Sequence, residues 1–248
     1  MQYVEMLRAR RVLTWYCGLL LAVFVIVALS FYSGHTHMSD DRSPDQRLSD
    51  LLRICAFGAM IVATCMAPGL NAESSTLAIT WTRPAPRAAI AWRYIAVDAV
   101  TIVIAYVFTV AVALAFLAMF GAAGHLTFDA AIPSALLNVF GVTLMWYGLV
   151  TFVTARMDGR GGLVSGLSWA AFSIVGGLWA APFPPLLHGL ITFLDYFNPL
   201  TYFHNVTSSH HAGNDVLNLD PSLLTLIAWC FVAVTLVATV RLWSTREV

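Results

Sequence analysis

The stretch VLTWYCGLLLAVFVIVALSFY, residues 12–32, contains no charged side chain. A helix crosses the hydrocarbon core of a bilayer with about 20 mostly apolar residues, so this stretch predicts a membrane-spanning helix. It is longer than the apolar core of a signal peptide, which has roughly 7–15 residues, and no cleavage site of small residues follows it. We therefore expect this first span to be retained.

Five further stretches have the same character, and the composition of the whole chain agrees with them. Of the 248 residues, 59% are hydrophobic and 10% are charged, whereas a soluble domain carries about 25% charged residues. The sequence therefore predicts an all-α polytopic membrane protein in which residues 1–248 form a single transmembrane domain. The six predicted spans are residues 12–32, 51–70, 95–120, 132–154, 162–181 and 223–243.

One further apolar stretch, residues 182–202, is too interrupted to span a bilayer. It contains four prolines together with His188, Asp195 and Asn198. Irregular backbone at membrane depth must be buried in protein or line water. We therefore predict a broken extracellular hairpin and loop over residues 182–221, between the fifth and sixth spans.

The basic residues are divided unequally between the two sides of the predicted bundle. Cytoplasmic loops of membrane proteins carry an excess of lysine and arginine. Three of the 13 basic residues precede the first span, three lie between the second and third, two between the fourth and fifth, and two at the end, so that ten share one side. We therefore expect both termini to be cytoplasmic. These ten are Arg8, Arg10, Arg11, Arg83, Arg87, Arg93, Arg156, Arg160, Arg241 and Arg246.

The chain contains no lysine, and this absence excludes two kinds of chemistry. A Walker A loop needs a lysine for the nucleotide phosphates, and a Schiff base needs a lysine amine. The net charge of zero gives no indication of nucleic-acid binding. If ATP drives this protein, we expect another polypeptide to bind it, and we expect no cofactor in this chain.

The cytoplasmic segment of residues 71–94 is long for a connection and rich in arginine. Pro84 and Pro86 suit the first turn of a helix, where a missing N–H costs nothing. From there Ala88, Ala91, Trp92 and Ile95 recur at helical spacing, which predicts a short helix lying on the membrane face. A plain positively charged loop is the alternative. Residues 1–11 raise the same choice, between an amphipathic cytoplasmic lead-in and a simple positive flank.

Two stretches resemble ABC-2 type transporter permeases, the membrane subunits of ABC exporters. They are AESSTLAITWTRPAPRAAIAWRYIAVD, residues 72–98, and FNPLTYFHNV, residues 197–206. The first departs mildly from the family, with Ser75 where glycine is frequent and Ala85-Pro86 where Val-Ser is frequent.

The resemblance implies a dimer of permeases, formed with a second copy or a paralogue. Each permease would bind a cytoplasmic ATPase that holds ATP and Mg²⁺ and would export a hydrophobic or amphipathic substrate through a bacterial plasma membrane. The residues it assigns to ATPase coupling are Glu73, Thr82, Arg83, Pro84, Arg87 and Trp92.

Small residues recur in the predicted fifth span, as Gly162-x-x-x-Gly166 and Ser173-x-x-x-Gly177. Such spacing lets two helices approach closely. They predict either packing within one subunit, or a dimer seam or wall of the substrate path. The family resemblance favours the second and fifth helices for that path.

A free-standing six-helix protein without an ATPase is the alternative function. As a metal-handling protein it would use the outer histidines His35, His37, His210 and His211 with Asp215, which are suitable ligand types. As an intramembrane enzyme it would need a catalytic dyad built on Ser165 or Ser173, but we expect no histidine deep in another span. We also expect Asp98 to lie at the membrane edge without a second acidic residue to pair with. Because no charge lies near the centre of a predicted span, we expect an amphipathic or lipid-like cargo.

Overall fold

The computed structural model describes residues 2–33, 44–70, 86–119, 131–155, 160–178, 183–202 and 221–245. Within these residues the chain is helical, with short turns at the helix ends. Residues 199–202 are also helical. The elements are α1 (Gln2–Tyr32), α2 (Pro44–Met66), a 3-10 helix (Ala67–Leu70), α3 (Arg87–Met119), α4 (Ala131–Thr154), α5 (Gly161–Leu178), α6 (Pro185–Asp195) and α7 (Pro221–Ser244).

Six of these helices are long and apolar enough to cross a membrane: α1, α2 with its 3-10 extension, α3, α4, α5 and α7. The predicted all-α, six-span architecture is confirmed at that level. Each apolar stretch identified in the sequence lies in its own helix because about 20 consecutive apolar residues can satisfy their backbone hydrogen bonds in lipid only as a helix.

Three helices begin seven or more residues earlier than the sequence predicts, and one of them is α2, which begins at Pro44 instead of residue 51. Residues 2–11, the predicted lead-in, form the first turns of α1, and residues 87–94 form the first turns of α3. Neither is a separate interfacial helix. The physical reason is that α3 contains no proline or glycine between Arg87 and Met119, so nothing interrupts the helix once it has begun. At about 1.5 Å per residue, α3 is about 50 Å long and exceeds the roughly 30 Å hydrocarbon core.

The packing centres on α2 and α4. Helix α2 packs against α3 and α4, α4 packs against α7, and α1 lies along α3. One close approach between α4 and α7 occurs at Gly148, where a β-carbon would collide with the hydroxyl of Thr235. Helices α1 and α5 are peripheral, with most of their surface exposed.

Polar side chains inside the bundle mostly bond to their own helix. The hydroxyls of Thr109, Thr143, Thr151 and Thr239 each donate to the carbonyl four residues earlier, at 2.6–3.1 Å. This bond satisfies a hydroxyl that would otherwise be unpaired in an apolar interior. Threonine is therefore compatible with the buried faces of these helices.

Successive spans run in opposite directions, so the start of one span and the end of the next lie at the same end of the bundle. The start of α1 contacts the start of α3 and the end of α2, and Pro68 after α2 packs against Gly161 at the start of α5. The arginine distribution predicts that this is the cytoplasmic end. We refer to it below as the arginine end.

The broken segment of residues 182–202 forms a short helix, a turn and a second helical stretch. Helix α6 has 11 residues, about 16 Å at 1.5 Å per residue, which is too short to cross a bilayer. Pro185 occupies its first turn, where the missing N–H has no partner to lose. The second helical stretch begins at Pro199, and Asn198 caps it by accepting a hydrogen bond from the Leu200 N–H at 3.1 Å.

Candidate functional site

A buried ion pair joins α1 to α3 at the arginine end. The Arg8 guanidinium binds the Asp98 carboxylate, and the Tyr147 hydroxyl of α4 donates to the other carboxylate oxygen at 2.9 Å. Asp98 is 1% exposed and Arg8 is 26% exposed. An unpaired carboxylate in this position would be very unfavourable, so the arginine and tyrosine stabilise its charged form.

The surroundings of Arg8 tie this ion pair to two further elements. The guanidinium lies against the backbone of Gly69, where any β-carbon would overlap it. It also lies 5.8 Å from the ring centroid of Tyr94, within reach of a cation–π attraction. Arg8 therefore contacts α3 and the 3-10 helix that follows α2 directly. It is linked to α4 indirectly, because Asp98 also binds Tyr147. A side chain at position 69 would require the Arg8 guanidinium to move.

This cluster adds to two expectations from the sequence. Asp98 is enclosed within the bundle, and Arg8 is more than a positive flank, because it forms the ion pair with Asp98. The expectation that no charge lies near the centre of a span is not contradicted, because Asp98 lies in the first half of α3. The signal was present in the sequence, because an aspartate inside an apolar run requires a partner. What the sequence did not indicate is that the partner lies 90 residues away.

A second polar cluster centres on Thr64 of α2. Its hydroxyl accepts hydrogen bonds from the indole N–H groups of Trp146 and Trp169, both at 2.9 Å, and donates to the Met60 carbonyl at 2.7 Å. One donor and two acceptor sites are all that a hydroxyl offers, so every hydrogen-bonding capacity of this group is used. The Ser165 hydroxyl donates to the Thr64 carbonyl at 2.7 Å. Thr64 thereby joins α2, α4 and α5.

An aromatic cluster surrounds Thr64 and reaches the surface. Trp146 and Trp169 have ring centroids 4.6 Å apart, and Phe172 packs edge-on against Trp146 at 5.4 Å. Phe57 of α2 stacks on Trp169 at 6.1 Å. The partly exposed Phe57 and Trp169 therefore form an aromatic surface between α2 and α5.

The predicted small residues of α5 lie on its exposed side. Gly162, Gly166, Ser173 and Gly177 are all exposed, and no atom of the described residues lies within 4 Å of a β-carbon built on any of the three glycines. We call these four residues the small-residue face. Packing within the subunit uses the other side of the helix, through Gly161, Ser165 and Ser168. The sequence left two roles open for these residues, which were packing within one subunit and a dimer seam or path wall. The three glycines show no packing contact with the described part of this subunit.

The predicted coupling residues fall into two groups. Glu73, Thr82, Arg83 and Pro84 lie outside the described residues, whereas Arg87 begins α3 and is partly buried.

The predicted apolar stripe is split between two environments. Trp92 is 45% exposed, but Ala91 and Ile95 are buried against other helices. The prediction that this stripe holds the helix against the membrane is wrong for Ala91 and Ile95. Their burial follows from the continuity of α3, which carries its interior face through to residue 90.

A third polar cluster lies where the 182–202 segment contacts α5. Asp195, at the end of α6, is fully buried, and one of its oxygens accepts hydrogen bonds from Thr201 at 3.1 Å and Asn198 at 3.3 Å. Asn198 also donates to the Phe172 carbonyl of α5 at 3.1 Å. Burial raises the pKa of Asp195, and these two hydrogen bonds act in the opposite direction. Burial also raises the pKa of Tyr202 to about 12, so this phenol stays neutral.

The exposed side of α6 is apolar, in contrast to its polar inner side. Leu186 is 85% exposed, and the remaining members of this surface are also exposed. A helix that turns its polar groups inward and leucines outward is suited to hydrocarbon, not to water. The members are Leu186, Leu187, Leu190, Phe193 and Leu194.

No metal site emerges among the described residues, where no group of three or more histidine, cysteine, aspartate or glutamate side chains could hold an ion. The candidate ligands His35, His37, His210, His211 and Asp215 lie outside the described residues.

Comparison with known proteins gives no relative. No family model, no curated protein and no solved structure matches this chain. The fold and the three polar clusters are therefore the basis of the functional argument.

Proposed function

We propose that this chain is the membrane-spanning permease subunit of an ATP-driven exporter. It works as a dimer and is coupled at its arginine end to a separate cytoplasmic ATPase, which supplies ATP and Mg²⁺. The cargo is hydrophobic or amphipathic, and the membrane is the bacterial plasma membrane.

The observation that carries the proposal is the exposed surface shared by α2 and α5. Phe57 and Trp169 form its aromatic part, and the small-residue face of α5 continues it. Small residues let a second helix approach closely in lipid, while aromatic rings offer a large apolar contact area to a greasy ligand. A seam between two subunits that also lines a path for apolar cargo uses both properties.

The arginine end supports the coupling part of the proposal. There Arg8 connects the first helix to α3, α4 and the end of α2. The segment that resembles an ABC-2 coupling segment leads directly into α3. A partner that pushes on this segment would therefore act on a helix that is bonded to α1 and α4 and packed against α2.

The experiment is capture of the ATPase together with a double substitution in the coupling segment. We expect the tagged protein, purified from its native membrane, to bring down a P-loop ATPase. Arg83→Ala/Arg87→Ala should reduce that recovery by about tenfold or more, because truncating one partner of a desolvated charge pair costs about 2–5 kcal/mol. The readouts are recovery of the ATPase and its hydrolysis rate per transported substrate.

The matched control is Arg42→Ala/Arg53→Ala, which removes two arginines from the predicted opposite side. It should leave recovery of the ATPase unchanged. If the wild-type protein brings down no ATPase and is active alone, the free-standing six-helix alternative is favoured. If the wild-type protein and Arg83→Ala/Arg87→Ala recover the ATPase equally well, those arginines are topological anchors and the coupling assignment is wrong.

A further inference from the structure

The strongest unexplained feature is the fully buried carboxyl of Asp195. It differs from the other buried aspartate, Asp98, which binds Arg8 and Tyr147. Asp195 receives only the neutral hydroxyl of Thr201 and the neutral amide of Asn198, both on the same oxygen. Among the residues that the structure describes, its second oxygen, Oδ2, has no hydrogen-bond partner, and neither does the buried hydroxyl of Tyr202 nearby in the chain.

An ionised carboxylate would be poorly accommodated in this position. It offers about four acceptor sites, of which two are used here. Hydrogen bonds to an ionised carboxylate are typically about 2.5–2.9 Å long, whereas these measure 3.1 and 3.3 Å. A buried charge without a counter-ion takes up or releases a proton in order to become neutral.

Within the described ranges, the groups that bond to Asp195 carry no compensating charge. On its own segment these are Asn198 and Thr201, and on α5 the polar contact is the Phe172 carbonyl, made through Asn198. The titratable residues nearest in the chain are the phenols Tyr196 and Tyr202. His188 lies on the same side of α6, two turns earlier, and it is partly buried.

We propose that Asp195 is a proton-binding site that links the docking of the 182–202 segment on α5 to pH. In the docked state the carboxylate has taken a proton from solvent, forming an O–H bond on Oδ2 and leaving a neutral acid. Release of that proton to solvent places a charge in the contact and favours undocking. A proton is the ligand that fits because Asp195, Asn198 and Tyr202 leave no exposed surface for a larger one.

This inference does not depend on the ATPase proposal, because it concerns only the contact between the segment and α5. The sign of the pH effect follows from the raised pKa of Asp195. The undocked carboxyl has an ordinary pKa, about 3.9. Docking is therefore strongest below about pH 4. It weakens as the pH rises toward the pKa of the docked state and is constant above it.

The test compares wild type with Asp195→Asn, an uncharged isostere of the protonated acid. Infrared difference spectra of the purified protein in lipid nanodiscs at pH 6 should contain a carboxylic-acid C=O band that is lost in Asp195→Asn. An ordinary aspartate is ionised at that pH. The matched control, Asp98→Asn, measured at pH 8, should instead lose a carboxylate signal.

The second readout is hydrogen exchange of residues 196–202. The ratio of the wild-type rate to the Asp195→Asn rate should be near one at pH 4. Above that it should rise by up to about tenfold per pH unit, until the docked-state pKa is passed. Absence of the acid band at pH 6 shows that Asp195 is ionised and overturns the proposal. A rate ratio that stays at one from pH 4 to pH 9 overturns the link to docking.

Discussion

Two aspartates inside the bundle are stabilised in opposite ways. Asp98 keeps its charge because Arg8 and Tyr147 bind both of its oxygens. Asp195 has no such partner among the described residues, and we infer that it is neutral. The identity of the residue does not decide between these states, because the same carboxyl titrates according to its neighbours.

Removing the carboxylate of Asp98 should cost more than removing both members of the ion pair. We expect Asp98→Leu to lower the free energy of unfolding by about 3 kcal/mol, because it leaves the Arg8 charge without a partner in a mostly buried place. Arg8→Met/Asp98→Leu should cost less than Asp98→Leu alone. Equilibrium unfolding in detergent micelles measures both.

Arg10→Gln is the control for loss of a positive charge from α1. Arg10 is exposed, so its replacement should change the free energy of unfolding by no more than about 0.5 kcal/mol. Strictly additive effects of the changes at Arg8 and Asp98 would show that the two side chains are not coupled.

Among the helices, α5 has two sides with different partners. Its inner side carries Gly161, Ser165 and Ser168 and is bonded or packed within the subunit. On the small-residue face, no described atom lies within 4 Å of a β-carbon built at Gly162, Gly166 or Gly177. A helix in lipid gains little by covering small residues with acyl chains, whereas another helix packs closely on them.

The small-residue face should matter for the dimer and not for the fold of the monomer. Gly166→Leu is expected to reduce dimer affinity by about tenfold or more, which corresponds to roughly 1.4 kcal/mol. No atom in the described part of the subunit lies within 4 Å of a β-carbon at this position, so the monomer can accommodate the leucine. Light scattering and cross-linking of the protein in nanodiscs give the dimer fraction.

The buried neighbour supplies the control for this substitution. At Gly161 a β-carbon would lie 3.0 Å from the Pro68 side chain, so Gly161→Leu should destabilise the monomer by about 1–3 kcal/mol through overpacking. Dimerisation of Gly166→Leu at the wild-type level would remove α5 from the proposed seam.

For the molecule as a whole, orientation in the membrane remains a prediction from charge. The contacts at the arginine end bring together the start of α1, the end of α2, and the starts of α3 and α5. Seven of the described arginines lie at or near the helix ends that belong to this side, and Arg53 lies on the other. The positive-inside rule then makes this end cytoplasmic.

Cysteine labelling of intact cells tests that orientation. In a background without Cys17, Cys55, Cys65 and Cys230, an impermeant maleimide should label Ser39→Cys and Asn214→Cys but not Ala85→Cys. Lysis should make Ala85→Cys reactive, which controls for burial. Labelling of Ala85→Cys in intact cells would reverse the topology and place the coupling segment outside.

The sequence alone determined the six spans, the break at residues 182–202 and the exclusion of a Walker A site. These features depend on local composition, since about 20 apolar residues in a row can form little besides a helix in lipid. The ends were less predictable, because residues 2–11 and 87–94 are polar enough to lie at an interface, yet nothing in them stops the helix.

Only the tertiary structure decided which residues meet and which side of each helix is inside. Arg8 and Asp98 form a pair across 90 positions of sequence, and the Thr64 hydroxyl accepts hydrogen bonds from Trp146 and Trp169 of two other helices. Hydropathy does not predict these faces, because lipid is as apolar as the interior of the bundle and exposed leucines resemble buried ones. Gly166 and Ser165 are adjacent and similarly small, but one faces outward and the other bonds to α2, because the packing of α5 against α2 and α4 fixes the rotation of the helix.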